Sequence, residues 1–177
     1  MKKVLKIIGL SLAGIIAVVL IVGLLLPKSM HIERSILVDA PSDVVYPHVS
    51  SLRSMHAWSP WVDYDPEMNI AFEGDDGAVG SVYRWEGTDQ VGKGYQTITS
   101  RTPESIEMDL IFIEPWQSNA KTYILLDTEQ GKSKITWGYK EKTPLPANVM
   151  MKVMGVKPML EKEFDKGLGR LKNQVEG

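Results

Sequence analysis

Residues 104–142, ESIEMDLIFIEPWQSNAKTYILLDTEQGKSKITWGYKEK, decide the fold. They divide into three runs, 104–114, 118–128 and 132–142, with Pro115 and Gly131 in the breaks. Apolar and polar residues alternate within each run, the pattern of a strand with one buried face. Connections this short join antiparallel neighbours only, because a parallel crossover needs about a dozen residues. Alternation assigns Ile106, Met108, Leu110 and Phe112, then Ile124 and Leu126, then Ile135, Trp137 and Tyr139 to one apolar face. Glu107, Asp109, Lys134, Thr136 and Lys140 fall on the other, toward water.

The pattern extends upstream. Runs at 68–73, 79–87 and 91–101 are bounded by Gly74-Asp75-Asp76-Gly77, Gly87-Thr88-Asp89 and Thr102-Pro103, which are turn chemistry. Tyr83, Trp85 and Tyr95 add aromatics to the inner set. With Ile32–Val38 the strands number seven. Between the first strand and the rest, Pro41-Ser42-Asp43 suits a helix start, with side-chain oxygens accepting from free amides. Val44, Val45, His48, Val49 and Leu52 recur at helical spacing, and Pro47 predicts a break or kink there. A second short helix is expected over 52–57, ending at Trp58-Ser59-Pro60-Trp61.

Downstream, Pro144 and Pro146 end the alternation. Val149, Val153, Val156, Leu160, Phe164, Leu168, Leu171 and Val175 advance by three or four, the stripe of one long amphipathic helix, with Pro158 expected to kink it near Met154. The inner face of the meander is the surface this stripe is made to cover. The fold class is therefore α+β, a seven-stranded antiparallel sheet wrapped around a long C-terminal helix.

The N-terminus is different in kind. Residues 7–26 carry no charge and one hydroxyl, and at about 1.5 Å per residue they reach the roughly 30 Å of a hydrocarbon core. No small-residue cleavage site follows, so the expectation is an uncleaved transmembrane anchor, residues 1–28, ahead of a domain over 29–177. Lys2, Lys3 and Lys6 precede the span, while Lys28 and Arg34 follow it with Glu33 between them. That bias points to a single-pass protein with its N-terminus cytoplasmic and its domain extracytoplasmic. Gly9, Ala13 and Ala17 form a small-residue stripe that would suit weak homo-association through the anchor.

All charges in residues 1–28 are lysines, four of them, so the remaining 149 residues hold 16 basic and 22 acidic side chains. An acidic domain with no basic stripe argues against nucleic acid as a partner. The chain has no cysteine, which removes disulfides, thiol nucleophiles and thiolate metal sites. His31, His48 and His56 form no H-x-x-x-H pair, and the last two read as surface or capping residues on the short helices. Asp63-x-Asp65-x-Glu67 lacks the glycine and the glutamate of a calcium loop and reads as solvated acids. GDDGAVG precedes a strand instead of a helix, so it reads as a hairpin turn. No catalytic set, metal site or cofactor is expected.

The predicted order is strand, two short helices, six-stranded meander and long helix, the helix-grip arrangement. RSILVDAPSDVVYPHVSSLRSMHAWSPW (34–61), GAVGSVYRWEG (77–87), VGKGYQTITS (91–100) and EKEFDKGLGRLKN (161–173) resemble the START-like (SRPBCC) superfamily, in its polyketide cyclase/dehydratase branch. The resemblance covers about residues 31–175. It implies a deep apolar cavity between sheet and helix, holding a lipid, sterol, polyketide or other hydrophobic molecule. Five tryptophans and the cluster Met150, Met151, Met154 and Met159 suit such a pocket, methionine adapting to irregular apolar shapes.

The residues expected to line the cavity are Tyr83, Trp85, Tyr95, Met108, Leu110, Phe112, Ile124, Trp137, Tyr139, Met150 and Met154, with Thr97 and Tyr123 as further polar candidates. Arg84 and Glu86 alternate with Tyr83 and Trp85 and are expected to face solvent. The leading expectation is a membrane-anchored binding protein for a hydrophobic small molecule or lipid. One alternative is a cyclase- or dehydratase-like enzyme, which needs an acid or base aimed into the pocket, and no His, Asp or Glu falls on the predicted inner face. The other is an interaction module of the cell envelope, which a dry core with an exposed apolar patch would mark.

Overall fold

The computed structural model describes residues 2–177. The meander forms as six strands: β2 (Asn69–Glu73), β3 (Val82–Glu86), β4 (Lys93–Arg101), β5 (Ser105–Glu114), β6 (Ser118–Glu129) and β7 (Lys132–Lys142). β1 (Ser29–Val38) pairs antiparallel with β7, which gives the sheet order β1-β7-β6-β5-β4-β3-β2. Register shifts at Lys93/Gly94 and at Ile98/Ser100 mark bulges between β4 and β5, and bulges bend and twist the strand that carries them.

Between β1 and β2 the chain forms α2 (Ser42–Val49), α3 (Leu52–Trp58) and a 3-10 turn over Pro60–Asp63. Asp43 Oδ1 accepts from the Val44 amide, and Ser51 caps α3 by accepting from Ser54. Pro47 lies inside α2 without breaking it. The helix ends two residues later, so the single bond its missing N–H removes costs little continuity.

The C-terminal region departs from the sequence reading. Instead of one kinked helix there are two, α4 (Ala147–Val153) and α5 (Val156–Glu176), divided at Gly155 with φ +64°. Pro158 sits in the first turn of α5, where its missing N–H has no intrahelical partner in any case, so it bends nothing. The left-handed glycine turns α4 off the line of α5 and separates their apolar faces. Val153, assigned to the buried stripe, is consequently 81% exposed.

α5 runs under the sheet and packs chiefly against β1. The interior holds two apolar groups. One joins Val38, Val45, Val49, Leu52, Trp58, Ile98, Ile106, Ile124, Ile135, Leu168 and Leu171. The other joins Ile32, Ala120, Tyr139 and Phe164, with Met30, Leu110, Trp137 and Leu160 packed against it. Gly167 makes the close approach possible, since a Cβ there would meet Trp137 and Pro60.

α1 (Lys2–Leu25) precedes all of this and is long and apolar enough to cross a membrane. Only Leu26, Pro27 and Lys28 separate it from β1. Its last turn touches α4, where a Cβ at Gly23 would overlap Leu145, and the buried Asn148 Nδ2 donates to the Gly23 carbonyl at 2.8 Å.

Candidate ligand-binding site

The inner face of the sheet is the face α5 covers, and strand pairing fixes which side chains reach it, because directly paired residues share a face. Tyr83 pairs with Gln96 and Gln96 with Leu110, while Trp85 pairs with Gly94 and Gly94 with Phe112. Met108 pairs with Thr122 and Thr122 with Tyr139, and Ile124 pairs with Trp137. Eight of the eleven expected lining residues thus share this face: Tyr83, Trp85, Met108, Leu110, Phe112, Ile124, Trp137 and Tyr139.

Three do not. Tyr95 pairs with Arg84 and Ile111 on the outer face, and its ring lies under the Arg84 guanidinium at 5.0 Å. Gln96, one residue on, takes the inward position, donating to Thr122 Oγ1 at 2.9 Å and contacting Met108 Sδ at 3.0 Å. Met150 and Met154 lie on or just beyond α4 and are 45% and 66% exposed, because Gly155 breaks the helix that was expected to carry them inward. Thr97 and Tyr123 are also outward. Tyr123 donates to Glu33 and bonds His31 Nε2 at 2.8 Å on the solvent side of the sheet. The hydrogen bond from Tyr123 holds the Glu33 carboxyl below its ordinary range.

Of the acids in Asp63-x-Asp65-x-Glu67, all at or near the surface, the first two have partners. Asp63 receives Lys166 at 2.7 Å and Arg170, whose hydrogen bonds lower its pKa, and Asp65 accepts from the Thr88 amide at 2.7 Å. Among the described residues no group of three or more His, Asp or Glu is gathered in a way that would hold a metal ion.

The deep cavity expected between sheet and helix is occupied by side chains along most of α5. Trp137 and Phe164 stack at 4.0 Å with an angle of 6° between rings, and Trp58 meets Trp137 edge-on at 5.0 Å. Two surface concavities are small or open. One, about 100 Å³, lies beside Tyr123, Lys121 and Lys140, and the other, about 390 Å³, lies beside Tyr46 and Pro103. Neither lies under α5.

The inner face over β3, β4 and β5 is less completely covered. Tyr83, Gln96, Leu110 and Phe112 remain half-buried there. Phe72 stacks on Tyr83 at 5.0 Å, Tyr83 on Trp85 at 5.7 Å, and Trp85 meets Phe112 edge-on at 5.5 Å, a continuous aromatic shelf. Burial pushes the Tyr83 hydroxyl up to about 12, so it is a neutral donor and acceptor at physiological pH.

Polar groups reach the interior that the sequence reading did not place there. His56, read as a surface or capping residue, packs against Phe72 and Tyr83, with its Nδ1 buried and without a partner, and burial lowers its pKa. Glu141 and Glu163 are buried, so inward carboxylates exist after all. Tyr139 donates to Glu141 at 2.7 Å, and Tyr64 donates to Glu163 Oε1 at 2.7 Å while Oε2 has no hydrogen-bond partner. Burial and the nearby Glu141 carboxylate raise the Tyr139 hydroxyl. The missed signal for Glu141 was its place two residues after Tyr139 in β7; for Glu163, its place beside Phe164 on the α5 stripe.

The same architecture occurs in solved structures of low sequence identity. The chain superposes with a TM-score of 0.61 on the di-domain ARO/CYC StfQ from the steffimycin biosynthetic pathway, at 10% identity, covering 84% of this chain and 51% of that one. It superposes at 0.59 on an uncharacterised protein from Bacillus thuringiensis, at 13% identity, covering 84% of this chain and 100% of that one. Ara h 8.0201 gives 0.56 at 14% identity, covering 83% and 97%. These likenesses establish the fold. No curated protein sequence matches the chain. The family described as "Polyketide cyclase / dehydrase and lipid transport" matches residues 29–176, the whole of the sheet and of α4 and α5. By that match the chain is a member of the polyketide cyclase/dehydrase and lipid transport family, within the START-like group that its seven-stranded sheet and C-terminal helix define.

Proposed function

We propose that this protein is a membrane-anchored binding protein for a hydrophobic small molecule or lipid, received on the aromatic shelf of β3–β5. The observation that carries this reading is the half-buried band Tyr83, Gln96, Leu110 and Phe112, an inward and mainly apolar surface left only partly covered while Ile98, Ile106, Met108, Ile124 and Ile135 on the same face are fully buried. The family description, which includes lipid transport, supports the ligand class. α1 supports the anchor, since a helix of 24 residues spans about 36 Å. Since Trp58, Trp137 and Phe164 fill the space under α5, a ligand lies against the shelf or enters by displacing Leu160 and the first turns of α5. Protein extracted in mild detergent and analysed by native mass spectrometry is expected to carry a small hydrophobic molecule. Delipidated protein is expected to take up a fluorescent fatty acid or sterol, with Phe112→Ala weakening uptake about fivefold, the loss of roughly 1 kcal/mol of contact. Protein that copurifies with nothing and binds no such probe sinks the reading.

A second reading, an enzyme of the cyclase or dehydratase kind, is favoured by one observation: His56 Nδ1 and Glu163 Oε2 are buried without a hydrogen-bond partner, with Tyr64 beside Glu163 and Lys166 at 4.0 Å from Oε2. Such groups are candidates for acid and base work. His56→Phe and Glu163→Gln separate the two readings. In a binding protein they alter affinity for the probe; in an enzyme they leave binding and abolish turnover of a poly-β-ketone test substrate.

A further inference from the structure

We propose that α4, the start of α5 and the tip of the β5–β6 hairpin form an interfacial surface seated in the headgroup region of the bilayer that α1 crosses. This rests on the reading of α1 as a membrane span. Gly23 lies three residues inside the apolar run 7–26, so it sits about 4.5 Å short of the end of the span. α4 and the segment leading into it are packed directly on it: Leu145, two residues before α4, and Val149 within it lie against the glycine, and Asn148 bonds its carbonyl. A helix that touches the last turn of a span is held at the depth of that turn, the boundary of acyl chains and headgroups.

The surface turned outward at this depth is apolar. Met150, Val153, Met154 and Met159 are all exposed, Val153 most of all. The hairpin tip belongs to the same end of the sheet, because Met30 pairs with Glu141 and Glu141 with Ala120, a few residues from Trp116. Trp116 is 65% exposed, and tryptophan favours the membrane interface. Lysines surround the patch on an otherwise acidic domain. Lys28, Lys142, Lys152 and Lys162 make no ion pair among the described residues, and Lys157 pairs only with Glu161, at 3.9 Å. An apolar face bordered by lysines, four of them without an ion pair among the described residues, matches an interface containing anionic lipid. A soluble protein partner would have to reach a helix already fixed at bilayer depth. The same seating brings Leu110 and Phe112, which lead into that hairpin tip, close to the lipid, so a ligand exchanges with the membrane without crossing bulk water.

The chain contains no cysteine, so single labels are unambiguous. The full-length protein, reconstituted in phosphatidylcholine/phosphatidylglycerol vesicles, is labelled with an environment-sensitive fluorophore at Trp116→Cys, Val153→Cys or Met154→Cys. Ile15→Cys marks mid-span, and Val79→Cys marks an exposed site on the β2–β3 loop at the other end of the sheet. Lipids with a quencher at shallow depth are expected to quench positions 116, 153 and 154 at least twofold more than position 79, and deep quenchers to act most on position 15. If position 15 is quenched while 116, 153 and 154 behave like 79, the interfacial surface is wrong and the anchor stands. If position 15 is not quenched, the anchor reading fails and takes this proposal with it. Labels at 153 and 154 shielded from aqueous iodide yet untouched by lipid quenchers would mean that a second copy or another protein covers the patch, which also overturns the proposal.

Discussion

Trp137 and Phe164 lie face to face beneath the sheet, and the fit depends on Gly167 one turn along α5. Phe164 is 3% exposed, so Phe164→Ala removes a stacked ring and leaves a cavity that rigid neighbours fill only in part. The expected cost is about 3–5 kcal/mol, read as a lowered midpoint in denaturant with an unchanged slope. His56 predicts a pH dependence. Its pKa is lowered by burial from 6.5, so near pH 6 the folded chain binds fewer protons than the unfolded one. Stability is then steady above about pH 7 and falls as pH drops from 6.5 through the folded-state value. His56→Gln is expected to flatten stability measured between pH 7.5 and 5, whereas a parallel decline in both proteins would place the effect elsewhere. Trp137, Ile124 and Leu110 were legible in the sequence because strand alternation is unambiguous in long runs. Gln96 was not. The extra residue Thr99 interrupts the count along β4, and the neighbouring Tyr95 offers an aromatic that looks more like a core residue.

At the scale of elements, the break between α4 and α5 has the largest consequence for the site. Gly155 adopts φ +64°, a conformation that costs a residue with a Cβ, and the space around it is otherwise open. Gly155→Ala is expected to lower stability by about 1 kcal/mol through backbone strain alone, measured by thermal unfolding of the detergent-solubilised protein. A substitution that stabilises would mean that the chain relaxes toward the continuous helix read from its heptad-like spacing. That spacing runs from Val149 to Val175 without interruption, and the sequence offers Pro158 as the visible breaker. The energetic role of a proline depends on its distance from the helix start, which is itself set by the glycine. The meander suffered no such ambiguity: each turn carries its own glycine or proline, and the seven strands were readable to within a few residues at their ends.

The whole molecule is a domain clasped to its own N-terminal helix, α1. Three residues of tether leave little freedom, and the contact of Gly23 with Leu145 and Val149, together with the Asn148 hydrogen bond, removes much of what is left. Lys28 continues this arrangement, since its carbonyl accepts from the Thr143 amide at 2.9 Å and ties the tether to the end of β7. The bond after Lys28 is a trypsin site, and cleavage of a structured segment requires local opening, at a rate set by the opening free energy when closing is fast. Gly23→Leu places a side chain where Leu145 now sits, so α4 must move off α1. If the clasp contributes about 1.4 kcal/mol against opening, its loss speeds cleavage after Lys28 about tenfold. The expected result is rapid release of residues 29–177 from vesicles by trypsin in Gly23→Leu, with the domain's own melting transition little changed. A control substitution at the far end, Val79→Ala, should leave the cleavage rate at its wild-type value. Equal rates in the two variants would show that the tether is held by β1 and β7 alone, and that α4 takes its position without help from α1.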